Sequence, residues 1–107
     1  MRRHKFGAVA TVVDGHKFPS KAEARRYQEL RLLERAGKIT GLRLQPRYDL
    51  HVNGRKIGSY VGDFEYVERH GGTTVTEDVK GMKTPMYRWK KKHLLAQWGI
   101  EITEIAR

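Results

Sequence analysis

Two turn signals, Asn53-Gly54 and Gly71-Gly72, divide the middle of the chain into three stretches of apolar and polar alternation, and this restricts the fold more than any other feature. Asn-Gly suits a two-residue hairpin because both central positions accept positive φ. The stretches must therefore pair antiparallel. The expectation is a meander of three strands, Ile39 to Val52, Ile57 to Val67 and Thr74 to Lys80. Pro46 interrupts the first, which marks an edge or bent strand, since proline cannot donate to a ladder.

Helices flank the meander. Ser20 followed three residues later by Glu23 has capping-box spacing, and Gly37 stands where a helix stops. On a 3.6-residue wheel Tyr27, Leu30 and Leu33 share a face with Glu23 and Glu34, so two carboxylates point inward. Gly81 ends the third strand, Thr84 caps a second helix with Pro85 at its first position, and that helix runs to Gly99. Ile100 to Ile105 alternates as a last short strand, and Val9 to Phe18 turns at Asp14-Gly15 as a small hairpin. The order is helix, three strands, helix, strand, an α/β chain of the α+β kind.

At 107 residues there is room for one domain, 1–107, which buries roughly two-thirds of its unfolded surface. No internal repeat or low-complexity segment divides it. The 22 Lys and Arg against 12 Asp and Glu leave a formal charge of +10, far beyond what solubility needs. That excess points to a polyanion, with nucleic acid ahead of an anionic membrane because no amphipathic or lipidated anchor is evident. No apolar run reaches signal-peptide or membrane-spanning length, so the expectation is a soluble, cytoplasmic protein. With no cysteine, a disulfide scaffold, a zinc ribbon and a cysteine nucleophile are all excluded. Any metal must be held by oxygen or histidine. His16, His51, His70 and His93 show no ligand spacing.

Strand alternation puts Thr76, Asp78 and Lys80 on one face and Val75, Glu77 and Val79 on the other. On the preceding strand it groups Val61, Asp63 and Glu65 opposite Tyr60, Phe64 and Tyr66. If these strands pair around Gly71-Gly72, Asp63 lies near Asp78. Two close carboxylates repel unless a divalent cation sits between them, and oxygen donors of this kind suit Mg²⁺, with Mn²⁺ as a substitute. A lysine beside such an ion can orient a water for attack on a phosphate. Asp-x-Lys alone is as often a surface ion pair; the upstream Asp63, the inward Glu23 and the positive charge favour a metal-dependent nuclease.

The set Glu23, Asp63 and Asp78-Val79-Lys80, in the order helix, strand, strand, helix, strand, resembles the PD-(D/E)XK nuclease superfamily, the restriction-endonuclease-like fold. More closely, FPSKAEARRYQEL, LRLQPRYDL, GDFEY, EDVKGMKTP and YRWKKK resemble a phage-encoded family of small nucleases, over nearly all of Asp14 to Ile105. Within the superfamily the short length and early helical Glu are most similar to archaeal-type Holliday junction resolvases. The resemblance implies metal ligation by Asp63 and Asp78, Lys80 as the catalytic lysine, Glu23 as an additional carboxylate, and a homodimer acting on four-way DNA junctions in the bacterial host's cytoplasm. Two residues depart from the pattern: Gly62 precedes Asp63 where proline is usual, and the acidic member of the triplet is aspartate. Glu23 also has a purely local role available, as the partner of Ser20 in the cap. A bulge near Glu77 would exchange the carboxylate that faces the metal.

Arg2, Arg3 and Lys5 of a basic arm (residues 1–8), with Lys21, Lys83, Arg88, Lys90, Lys91 and Lys92, make up the expected DNA-binding surface. On the second helix Tyr87, Leu94, Leu95 and Trp98 share a face with Lys91, whose ammonium either snorkels outward or reaches the scissile phosphate. The opposite face carries Trp89, His93 and Ala96 beside Met86; Trp89 fits either a two-fold dimer contact or a place under the N-terminal hairpin. The rivals to a junction resolvase are a nuclease for flaps, single strands or linear duplex and a non-catalytic DNA-binding protein. A small RNA-binding module is disfavoured because the strands offer no stacked-aromatic platform.

Overall fold

The computed structural model describes residues 10–107, and the expected arm, with Arg2, Arg3 and Lys5, lies outside them. The first hairpin joins β1 (Thr11–Val13) to β2 (His16–Phe18) through Asp14 and Gly15, both at positive φ. Helix α1 (Lys21–Arg35) follows; the Ser20 hydroxyl accepts the Glu23 N–H at 3.2 Å, and Gly37, at φ 74°, lies just beyond the last turn. Both ends are set by local chemistry, as the capping pattern predicts.

The central sheet has four strands in the order β3 (Ile39–Leu44), β6 (Phe64–Glu68), β7 (Thr74–Lys80), β8 (Ile102–Ala106). The first two pairings are antiparallel; β7 and β8 run parallel, joined by helix α2 (Pro85–Trp98), because a parallel pair needs a crossover connection. Thr84 caps α2, with its hydroxyl accepting the Tyr87 N–H at 3.1 Å, and Gly99 closes it in the left-handed conformation. The fold is α+β.

The expected three-strand meander is five strands. Pro46 does more than bend its strand: it ends β3, and β4 (Arg47–Val52) leaves to pair with β5 (Arg55–Val61) around Asn53-Gly54 in a separate two-stranded sheet. The stretch Ile57 to Val67 breaks likewise at Gly62-Asp63. The reason is tertiary: Gly62 N–H donates to Pro46 C=O and Asp63 N–H to Glu77 C=O, each at 2.9 Å, which returns the chain to the central sheet as β6.

Two cores result, one on each face of the central sheet. Phe18, Ala24, Tyr27, Leu30, Ile39, Phe64, Tyr66 and Val79 pack between the sheet, α1 and the first hairpin. Tyr48, Leu50, Tyr60, Tyr87, Leu94 and Ile102 pack between its other face, α2 and the β4–β5 hairpin. Tyr60 therefore does not share a face with Phe64 and Tyr66, because the break separates them. Leu33 is exposed and outside the buried stripe of α1, and Leu95 and Trp98 are about half exposed on α2, so both apolar faces are narrower than the wheels suggest. No helix among the described residues is long and apolar enough to cross a membrane.

Candidate active site

Strand β7 separates its side chains as alternation requires. Thr76 and Asp78 meet Tyr48 and Tyr60 of the second core through their hydroxyls, and Lys80 lies over the ring of Tyr87. Val79 and Glu77 face α1. Asp78 is buried and accepts a hydrogen bond from the Tyr60 hydroxyl; the Lys80 ammonium stands 3.6 Å from its other oxygen. The β7 ladder with β6 runs without a bulge from Thr74 to Glu77, which keeps Asp78 on the side of Lys80.

Asp63 occupies the corner between β5 and β6, and its backbone is held on both sides. Its N–H donates to Glu77 C=O, and its C=O accepts the Gln45 N–H, each at 2.9 Å. Its carboxyl accepts the Val79 N–H at 2.7 Å and lies close enough to the carboxyls of Asp78 and Glu23 to interact with both. Three acids from three elements thus meet. Burial first, then the neighbouring carboxylates, raises Asp63 well above the usual carboxylate range, to about 7. Burial also raises Glu23, opposed chiefly by the positive charge of Arg107. Among the described residues no three acidic or imidazole side chains already surround one point in coordinating geometry. The hard oxygen donors of the three acids and their mutual repulsion fit a divalent cation of the Mg²⁺ class.

The two roles available to Glu23 use different atoms and coexist. Its N–H completes the Ser20 cap, while its buried carboxyl joins Asp63. Glu77, fully buried, belongs elsewhere. Arg26 donates to it through Nε at 2.8 Å and Nη2 at 2.6 Å, and the Tyr66 hydroxyl donates as well. This pair ties α1 to β7 and fixes the depth at which Glu23 sits.

Three side chains around the acids do not emerge from the sequence motifs: Tyr60, Tyr87 and Glu104. Glu104 stands beside Asp78 in the parallel register of β8 and β7. It accepts from the Tyr87 hydroxyl at 2.6 Å and pairs with Lys83 at 3.0 Å and Lys91 at 3.2 Å; the Tyr87 hydroxyl first, then Lys83, holds its carboxyl down at about 2. Lys91 is thus paired with Glu104 while its side chain stays partly exposed. Alternation with Ile102 was the available signal, but it becomes useful only once the parallel register is known.

The basic residues of α2, with Lys83 just before it, divide between two sides. Lys83, Arg88, Lys91 and Lys92 line a hollow shared with Glu101 and Glu104, whereas Lys90 accompanies Ile57, Met86 and Trp89. Lys21 is exposed at the start of α1. Trp89, 44% exposed, does not lie under the N-terminal hairpin, because that hairpin packs on α1 across the sheet. His93 and His51 are joined with Gln97 in a small hydrogen-bonded group away from the acids.

A family model described as "Protein of unknown function (DUF1064)" matches residues 3–106. The chain belongs to that family. No curated protein matches it, and no solved structure does.

Proposed function

We propose that this member of the DUF1064 family is a metal-dependent DNA endonuclease of the restriction-endonuclease-like kind. The observation that carries the reading is the meeting of Glu23, Asp63 and Asp78, from a helix, a strand corner and a strand, with the Lys80 ammonium 3.6 Å from Asp78. Clustered acids on a chain of net charge +10 are hard to explain as solubility devices. They concentrate negative charge where a polyanion would otherwise be repelled, and a cation between them reverses that sign.

Asp63 and Asp78 would hold Mg²⁺ or Mn²⁺, with Glu23 as the third donor. When bound, the ion supplies Lewis-acid chemistry that draws charge from a phosphate oxygen. The protein's own part is positional. Asp63 is fixed by the Val79 N–H and Asp78 by the Tyr60 hydroxyl, so neither carboxyl needs to reorganise when substrate arrives. Lys80, held between Asp78 and the Tyr87 ring, orients the attacking water or donates to a non-bridging phosphate oxygen. Basic side chains of α2 follow the backbone phosphates.

Within this activity the preferred substrate is the four-way DNA junction, cut by a homodimer. Asp78→Asn should abolish cleavage of junction DNA while leaving its binding within about twofold. Retained Mg²⁺-dependent cutting by that variant would remove the assignment. A monomer in light scattering, or equal rates on junction and linear duplex, would remove the resolvase part alone. Tight, salt-sensitive binding without hydrolysis would favour a non-catalytic DNA-binding protein.

A further inference from the structure

Gln45 has a backbone φ of +50°, in the left-handed region that side chains other than Asn, Asp and Gly rarely adopt. Among the described residues, the other non-glycine residues there are Asp14 and Asn53, each in a hairpin turn that favours its type. Gln45 is neither. Its backbone is held by the bond from its N–H to Asp63 C=O, in the link that carries the chain from β3 to Pro46. Strain of this sort persists where the surroundings enforce it and concentrates at functional sites. Glycine would remove it, so the side chain is the feature to explain.

That side chain lines a cavity of about 380 Å³ that opens directly onto the acids, because Glu23 and Asp63 line it too. Phe18 and Phe64, whose rings lie 6.4 Å apart, and Leu44 supply its apolar part. His16 and Lys17 of the first hairpin supply a ring and a cation. An apolar hollow with one amide, one cation and an acidic side suits a single nucleoside unit. The amide can both donate to and accept from a base edge, and the cation can meet the adjoining phosphate.

We propose that this cavity receives the deoxynucleoside next to the scissile phosphate and that the Gln45 amide contacts its base, a reading that rests on the nuclease function proposed above. The experiment places single abasic sites at the nucleotides flanking the mapped cut and measures Mg²⁺-dependent cleavage by the wild-type chain and by Gln45→Ala and Gln45→Gly. For wild type, an abasic site at one position should slow cleavage about tenfold. Both variants should cut intact and abasic DNA at equal rates, with Gln45→Gly melting no lower than wild type because its backbone strain is relieved. Cleavage that ignores abasic sites at every flanking position, or the same tenfold dependence in both variants, would overturn the assignment of the cavity and leave the nuclease reading standing. A wild-type chain that cuts no DNA with Mg²⁺ or Mn²⁺ would overturn both.

Discussion

The Lys80 ammonium lies 4.3 Å from the centroid of the Tyr87 ring, and the hydroxyl of that ring donates to Glu104 on the adjacent strand. Tyr87 thus holds the lysine with its face and is itself held at its far end. A partly buried cation–π contact is worth about 1–2 kcal/mol, which corresponds to roughly five- to thirtyfold in rate if it is needed only to place the ammonium. Tyr87→Leu should lower kcat by about tenfold, whereas Tyr87→Phe, which keeps the ring, should stay within about threefold. A double-mutant cycle separates positioning from packing: in a Lys80→Ala background Tyr87→Leu should cost no further activity. An equal cost in both backgrounds would make Tyr87 a packing residue only.

Arg26 and Glu77 provide a test of the scaffold that is independent of catalysis. The Glu77 carboxylate is fully buried and takes two of its hydrogen bonds from one guanidinium. Removing one partner of a buried pair leaves an uncompensated charge, at a cost of about 3–5 kcal/mol. Arg26→Met should lose about 3 kcal/mol in urea denaturation, and adding Glu77→Gln should recover part of it. A loss below about 1 kcal/mol would show that water reaches Glu77 without the arginine.

What was legible in the sequence was what local chemistry determines. Asp14-Gly15, Asn53-Gly54, the Ser20 cap, the Thr84-Pro85 start and the Gly99 stop each act within four or five residues, and each lies where its residue type predicts. Alternation likewise separates Asp78 and Lys80 from Glu77. The break at Gly62-Asp63 was hidden because the stretch on either side alternates well; hydrogen bonds to Pro46 and Glu77, sixteen and fourteen residues away, decide it. Tyr60, Tyr87 and Glu104 escaped for the same reason. Their roles follow from which faces the separate hairpin and the parallel β8 present to β7, and no short pattern encodes that.

Gly62 shows why this chain departs from the proline that precedes the first aspartate in the pattern it resembles. Its N–H bonds Pro46 C=O, and a Cβ at this position would stand 3.3 Å from the Thr76 methyl and 3.4 Å from Glu77 C=O. Proline would remove the donor and press its ring into that space. Gly62→Pro should therefore cost about 2–4 kcal/mol, combining an unpaired buried carbonyl with overpacking. Gly62→Ala, which keeps the donor, should cost about 1 kcal/mol. Comparison of the two midpoints in urea tests this, and a proline variant as stable as wild type would refute it.

The acids also predict how stability and metal affinity respond to pH. Burial raises Asp63 and Glu23 in the folded state, so between the ordinary carboxylate range, near pH 4, and their higher folded values the native chain binds more protons than the unfolded one. Stability from these groups is then fully present below that range and declines as pH rises through the folded values, the reverse of an ion-paired carboxylate. Asp63→Asn removes the titration and keeps the shape. It should gain stability relative to wild type on going from pH 5 to pH 8. Because a cation binds the deprotonated acids, Mg²⁺ should raise the wild-type Tm more at pH 8 than at pH 5 and should leave the Asp63→Asn Tm nearly unchanged. Equal Mg²⁺ shifts in the two proteins would place the ion elsewhere on the molecule, and a wild type that gains stability over the variant as pH rises would contradict the raised value assigned to Asp63.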